Sequence, residues 1–361
     1  MGFPDATSEN RRDGLLSHLR GLRDAVDAAM VLGASVVRRA GPAAEVEAWR
    51  ALRRLVGPAG ETRTGEAVPA VTLARLAHGA RVTILAATRA PDLAPLLRAR
   101  CAAIERHAAI LELVTARVGE VLGPLGAETT CLLKGSAAIG LAYDRPAERE
   151  RRDLDLLVLP SAFQGVRTAL WNDGWRDDPT RDAPGPPFSG RSFGMVRRFG
   201  AVTVSLDLHR DLVDRAWCGL RGPAFREAFL AGAIRGRAPL PVSSPVDTGL
   251  HTLAHLAAGG FRPTLGAWID LTRLVPGVGP EALAEAAARW RLRGAAWVGV
   301  ATLGRWFGQA LTEHARALDL PRARQALLSR IYGGDGGDLL TAPTTALRAV
   351  HAARALLGDP D

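Results

Sequence analysis

Residues 131–160 constrain the fold more than any other stretch. Cys131-Leu-Leu-Lys-Gly-Ser136 is a short apolar run closed by a glycine, and a helix-like segment follows to Tyr143. After an arginine-rich connection the chain resumes with Asp153-Leu-Asp155-Leu-Leu-Val-Leu-Pro160. Short apolar runs bounded by turn residues mark buried strands, so the stretch reads as strand, glycine turn, helix, loop, strand. Alternation along the second strand sends Asp153 and Asp155 to one face and Leu154 and Leu156 to the other. Carboxylates this close repel each other, and a fold tolerates them most easily with divalent cations between them, so the pair predicts a Mg²⁺ site. The same repulsion predicts that Asn at either position leaves the metal-free fold no less stable.

A helix starting just after Gly135 and Ser136 turns its unpaired backbone N–H groups and its dipole toward whatever occupies the turn, an arrangement suited to a triphosphate. Glycine permits close backbone approach, and the Ser136 hydroxyl can donate to a phosphate oxygen. Of the 46 basic residues, Lys134 alone is a lysine. It sets a compact ammonium beside this turn, which a planar guanidinium does not replace. Arg145, Arg149, Arg151 and Arg152 crowd the connection among Asp144, Glu148 and Glu150, and the plain reading there is a solvated loop with local ion pairs. Residues 191–209 read as a hairpin about Gly200. Along Val202-Thr-Val-Ser-Leu-Asp207-Leu-His209, alternation places Thr203, Ser205, Asp207 and His209 on one face, and Asp207 is the natural third carboxylate.

The ordered set Lys134-Gly135-Ser136, Asp153-x-Asp155 and Asp207-Leu-His209 resembles the nucleotidyltransferase superfamily typified by DNA polymerase beta. It resembles more closely a group of largely uncharacterised bacterial nucleotidyltransferases with the pattern lysine-glycine, arginine, aspartate-x-aspartate, aspartate-leucine-histidine. The resemblance implies an α/β (α+β) fold: a small mixed nucleotidyltransferase sheet with flanking helices. It implies an enzyme that moves a nucleoside monophosphate, AMP from ATP being the first choice, to a hydroxyl and releases pyrophosphate. Asp153 and Asp155 would then bridge two Mg²⁺ ions, with Asp207 joining on the acceptor side. Lys134, Gly135 and Ser136, with Arg149 or Arg152, would hold the triphosphate. His209 would shuttle a proton, orient a carboxylate or serve the structure. The alternative is a nucleotide-binding scaffold or accessory protein without turnover, against which the three intact aspartates argue.

Around this segment, apolar residues at helical spacing divide the chain into an N-terminal helical region (1–122), a core (123–211) and a C-terminal helical region (212–361). Helices are expected over 13–31, 43–56, 71–78 and 83–87, followed by a long one capped by Asp92 and stopped at Gly123-Pro-Leu-Gly126. Beyond the core they are expected over 222–233, 245–258, 265–275, 281–294, 295–318 and 321–332. His251 and His255 share a helix face, as a zinc pair would. Thr252 stands where a metalloprotease carries its glutamate, so packing or acceptor contact is the stronger reading. Asp270 resembles a carboxylate common in this region of the family and is expected to meet those histidines. Residues 177–190, rich in proline and glycine, read as a lid, an acceptor-binding loop or a disordered insertion. Gly333-Gly-Asp-Gly-Gly-Asp338 reads as a flexible connector.

Composition narrows the classes further. Apolar residues make up 47% and charged residues 23% of the 361, as in soluble globular proteins. The best candidate for a membrane span, 295–311, is interrupted by Arg305, and the first ten residues lack a basic region followed by an apolar one, so the expected location is the cytoplasm. Cys101, Cys131 and Cys218 are odd in number without metal-ligand spacing, which suits small apolar filler. The net charge of +9 is carried outside the core segment, with no basic cluster interleaved with aromatics. The expected partners are therefore an NTP and a small-molecule, peptide or protein acceptor, with nucleic acid a less favoured partner and no membrane.

Overall fold

The structure is a computed structural model that describes residues 43–58, 68–179, 192–200, 202–212, 223–235, 239–258, 261 and 265–332. The helix expected over 13–31, most of the 177–190 loop, Cys218 and the 333–338 segment lie outside the described residues.

Helices α1 (Ala43–Val56), α2 (Ala70–Gly79), α3 (Thr83–Arg89) and α4 (Ala94–Leu122) precede a sheet region. That region comprises β1 (Thr130–Leu132), α5 (Lys134–Ala142), β2 (Asp153–Val158), α6 (Phe163–Asn172), β3 (Arg176–Asp177), β4 (Ser192–Phe199) and β5 (Val202–His209). Then follow α7 (Pro223–Ala231), α8 (Pro245–Ala258), α9 (Leu265–Leu274), α10 (Pro280–Arg289), α11 (Arg293–Phe307), α12 (Thr312–Ala317) and α13 (Arg322–Tyr332). Among the described residues no helix is long and apolar enough to cross a membrane.

The helical spacing is borne out with three local corrections. Asp92 does not cap α4: Leu93 stands at the N-cap with Pro95 in the first turn, a position where the missing N–H costs nothing. The single helix expected over 295–318 is two, because Gly308 adopts φ 65° and ends α11 with a left-handed cap that residues with a Cβ take up at a cost. Third, α5 begins at Lys134, so Gly135 and Ser136 form its first turn instead of preceding it.

The five strands make one mixed sheet in the order β1-β2-β5-β4-β3, matching the expected α+β class. β2 and β5 are parallel and the other pairs antiparallel. Gly200, at φ 60°, turns β4 into β5. Alternation then separates two cores. Leu154, Leu156 and Val158 of β2 and Val204, Leu206 and Leu208 of β5 pack with Leu111, Val114 and Val118 of α4 and Val166 and Leu170 of α6. Each such buried side chain contributes roughly 1.5–3 kcal/mol. On the other face Cys131 and Leu157 join a larger core that unites α1–α3 with the helices after the sheet. That second face is also where the polar residues of β2 and β5 point. The cysteines at 101 and 131 are free; burial pushes the Cys131 thiol up to about 12, which suits filler.

Candidate active site

The parallel register sets Asp155 beside Asp207 and Asp153 beside Ser205. His209 lies two residues beyond Asp207 on the same face. Ligating atoms of Asp155, Asp207 and His209 all fall within 4.8 Å of one another, and all three residues are buried. Lys134 completes the cluster: its Nζ is 2.5 Å from Asp155 Oδ1 and 3.4 Å from His209 Nε2, and His209 Nε2 is 2.8 Å from Asp155 Oδ1. Burial alone would raise the Asp155 carboxyl, but the His209 hydrogen bond and the Lys134 ammonium outweigh it and hold the group well below the usual carboxylate range. The backbone locks this geometry, because the Leu133 N–H donates to the Asp155 carbonyl at 2.9 Å and so ties the start of α5 to β2. Lys134 itself sits at φ 52°. A side chain with a Cβ pays on the order of 1–2 kcal/mol there, strain of a kind that concentrates at functional sites.

Asp153 shares the face of Asp155 but sits at the start of β2, half-buried, and is not part of the three-residue group. Its charge instead favours the protonated forms of Arg81 and Arg151. Ser136 is buried in the first turn of α5, where its Oγ accepts from Arg151 Nη1 at 2.9 Å; Arg151 also pairs with Glu112. Its hydroxyl proton stays available for donation.

Arg149 turns inward. Its Nε donates to both Asp270 oxygens at 2.8 Å, its Nη1 to the Glu150 carbonyl at 2.7 Å, and the Tyr143 hydroxyl donates to Asp270 Oδ1 at 2.7 Å. Burial works against the charge on Arg149, and Asp270 more than compensates, raising its pKa. The guanidinium lies between two glycines: a Cβ on Gly135 would come within 3.5 Å of it, and one on Gly266 within 3.4 Å. Asp270 therefore does not meet the histidines, as the sequence suggested; its partners are Arg149 and Tyr143. Arg152 is exposed.

His251 and His255 do share a face of α8, and they bond each other: their rings stand edge-on at 4.6 Å with Nε2 atoms 3.1 Å apart, while His251 Nε2 lies 2.9 Å from the Leu212 carbonyl. Burial, then the nearby Lys134 and His209 charges, lower His255 to about 4. Burial and His255 push His251 well below its ordinary value. Both are thus neutral when folded. Between the unfolded value of about 6.5 and about 4, the unfolded chain binds protons that the folded chain refuses, so stability falls as pH drops through that window. His255 is exposed at the surface, so solvent screening reduces its share of this loss. Denaturant unfolding at a series of pH values in metal-free buffer is expected to show this decline, and His255→Gln is expected to flatten it. An unchanged slope in the variant would show that His255 is not held neutral.

Aspartates on β2 and β5 beside the lysine at the start of α5 are the residues on which the family resemblance rests. The family described as "Uncharacterised nucleotidyltransferase" matches residues 70–308, from α2 to just past the end of α11. The chain belongs to this nucleotidyltransferase family. Membership supports nucleotidyl transfer as the general activity. None of the curated proteins and none of the solved structures compared with the chain matches it. For a nucleotidyltransferase, two site features escaped the sequence reading. His209 is expected to shuttle a proton, orient a carboxylate or serve the structure, and its contact with Asp155 Oδ1 is of the second kind; what the sequence reading lacks is its place as a potential ligand, although its alternation with Asp207 repeats that of Asp153 with Asp155. Arg151, read as loop charge, is the arginine that bonds Ser136.

Proposed function

We propose that the protein transfers a nucleoside monophosphate from an NTP, ATP being the donor to try first, to a hydroxyl of a small-molecule, peptide or protein acceptor. The observation that carries this reading is the convergence of Asp155, Asp207 and His209 within 4.8 Å at the start of α5, with Lys134 among them. Two buried carboxylates, one of them held ionised, fit a hard divalent cation such as Mg²⁺, and the imidazole nitrogen of His209 adds a donor that Mn²⁺ accepts readily. Asp153, at the mouth of the same face, would serve a second ion. Such cations, when bound, neutralise phosphate charge and make an acceptor hydroxyl more acidic.

The remaining work falls to the chain's own groups. Gly135 and Ser136 direct first-turn N–H groups of α5 toward the triphosphate, and the ammonium of Lys134, the first residue of that turn, exchanges Asp155 for a phosphate oxygen. Arg149 lies against Gly135 and shares a cavity wall with Arg152, and their charges favour the polyphosphate. The acceptor oxygen forms its bond to the α-phosphorus as the bond to the β-phosphate oxygen breaks, and diphosphate leaves. Asp207 orients the acceptor hydroxyl, and its proton passes to the ring nitrogen of His209 that holds no cation.

α-³²P-labelled NTPs incubated with the protein, Mg²⁺ or Mn²⁺ and an extract of the source cells test the reading. Wild type is expected to label an acceptor; Asp207→Ala is expected to bind Mg²⁺-NTP with at most a modest loss and to label nothing. Equal labelling by both proteins would remove Asp207 from the reaction. A wild-type blank with all four NTPs would favour a nucleotide-binding scaffold.

A further inference from the structure

A cavity of about 200 Å³ lies between the turn that ends α2, the middle of α4 and the connection that enters β2. Arg81, Arg149, Arg151 and Arg152 line it together with Glu150, and His78 and His107 complete the polar wall. The one carboxylate in this lining is engaged, because Glu150 Oε1 accepts the Thr83 backbone N–H at the start of α3. Arg149 and Arg151 have counter-charges from outside the lining, Asp270 and Glu112. Arg81 and Arg152 have no carboxylate at ion-pair distance among the described residues, and Asp153 acts on Arg81 only through space. Burial first, then the Arg152 and Arg149 charges, push the Arg81 guanidinium below its ordinary value against the pull of Asp153 and Glu150.

Four guanidiniums around one small space repeat, with opposite sign, the logic of the carboxylate cluster: an anion among them relieves the repulsion. Guanidinium forks match phosphate oxygens in geometry, and the cavity is smaller than those that take whole drug-sized ligands. Its wall is shared with the first turn of α5, since Arg149 lies against Gly135 and Arg151 bonds Ser136. We propose that this cavity is a binding site for a phosphate or diphosphate group, with Arg81 and Arg152 as its primary contacts. Arg81 comes from outside the sheet region, in the left-handed position at φ 60° that closes the α2–α3 turn. The group would be either the terminal phosphates of the donor or a phosphate carried by the acceptor, and only this choice of source rests on the transferase reading.

The probe is inorganic diphosphate, titrated calorimetrically into the full chain in metal-free, low-salt buffer. Wild type is expected to bind it, and Arg81→Gln/Arg152→Gln at least about tenfold more weakly. Arg106→Gln, which removes the same charge from an exposed position on α4 outside the lining, is expected to bind as wild type does. Circular dichroism confirms that each variant is folded, and should the double variant fail, the Arg152→Gln single variant replaces it at an exposed position. Competition between ATP and diphosphate would assign the cavity to the donor, and simultaneous binding would assign it to a phosphorylated acceptor; both outcomes support the site. No binding by wild type, or equal affinity in all the proteins, overturns it. Because diphosphate binding is measured without turnover, an inactive protein that binds the probe would sink the transfer reading and leave the cavity assignment standing.

Discussion

Asp155→Asn is expected to lower nucleotide transfer by at least about a hundredfold and to weaken divalent-cation binding by a similar factor. The side chain keeps its volume and loses its charge, and Asp155 is the hub of the cluster: Lys134 and His209 both meet its Oδ1. Titration of Mn²⁺ into wild type and variant, alongside the labelling assay, checks both effects. Wild-type cation affinity with wild-type turnover in the variant would place the reaction elsewhere. The structure also reverses the stability expected from the sequence. Although Asp207 stands beside Asp155 in register, an ammonium and an imidazole meet the Asp155 carboxylate and hold it below the usual range. Neutralising it strands the Lys134 charge, so the metal-free variant is expected to be less stable above about pH 4. Below that, the unfolded chain takes up a proton that folded Asp155 refuses, and wild type loses the same contribution progressively as pH falls toward the depressed folded value.

Asp270→Ala is expected to have the largest effect on stability, a loss of about 3–5 kcal/mol. Asp270 is 1% exposed and accepts from Arg149 and Tyr143 at once, so its removal leaves a buried guanidinium and a buried hydroxyl without their acceptor. A double-mutant cycle separates this account from simple loss of packing. Arg149→Met in the Asp270→Ala background removes the stranded charge and is expected to recover much of the loss. If the double variant is less stable than Asp270→Ala alone, the charge is not the cause. The transfer assay on the same proteins adds a second reading, since Arg149 also lies against Gly135 in the first turn of α5.

What could be read from the sequence was whatever depends on local periodicity. Alternation along 153–158 and 202–209 correctly separated Leu154, Leu156, Leu206 and Leu208, which enter one core, from the aspartates, which face away from it. Helical spacing found α1, α8 and α9 nearly to the residue. What stayed hidden depends on register and on long-range pairing. Whether Asp153 or Asp155 stands opposite Asp207 turns on a two-residue slip between strands, which no spacing within either strand encodes. Arginine 149 looked like one member of a solvated charge run because the carboxylate that buries it is on α9, across the sheet region in sequence. The break at Gly308 was concealed by the apolar run on both sides, in which Gly299 and Gly304 remain helical. Lys134 in the left-handed region could not be foreseen beside a glycine that would adopt that backbone at lower cost.

The parallel pairing of β2 with β5 has a consequence for how the molecule comes into being. These neighbours in the sheet are separated along the chain by α6, β3 and β4, so the contact that aligns Asp155 with Asp207 is among the least local in the sheet and carries a large loop-closure entropy. Strand pairs of this kind form slowly compared with hairpins and helices. As the ribosome delivers the chain, β1, α5 and β2 emerge with Lys134 and Asp155 in place, yet the chelating group has only one of its three members until β5 zips alongside. The cation affinity proposed for this group would therefore belong to the closed sheet and not to any fragment of it, and ion uptake during refolding would time the moment at which the two strands meet.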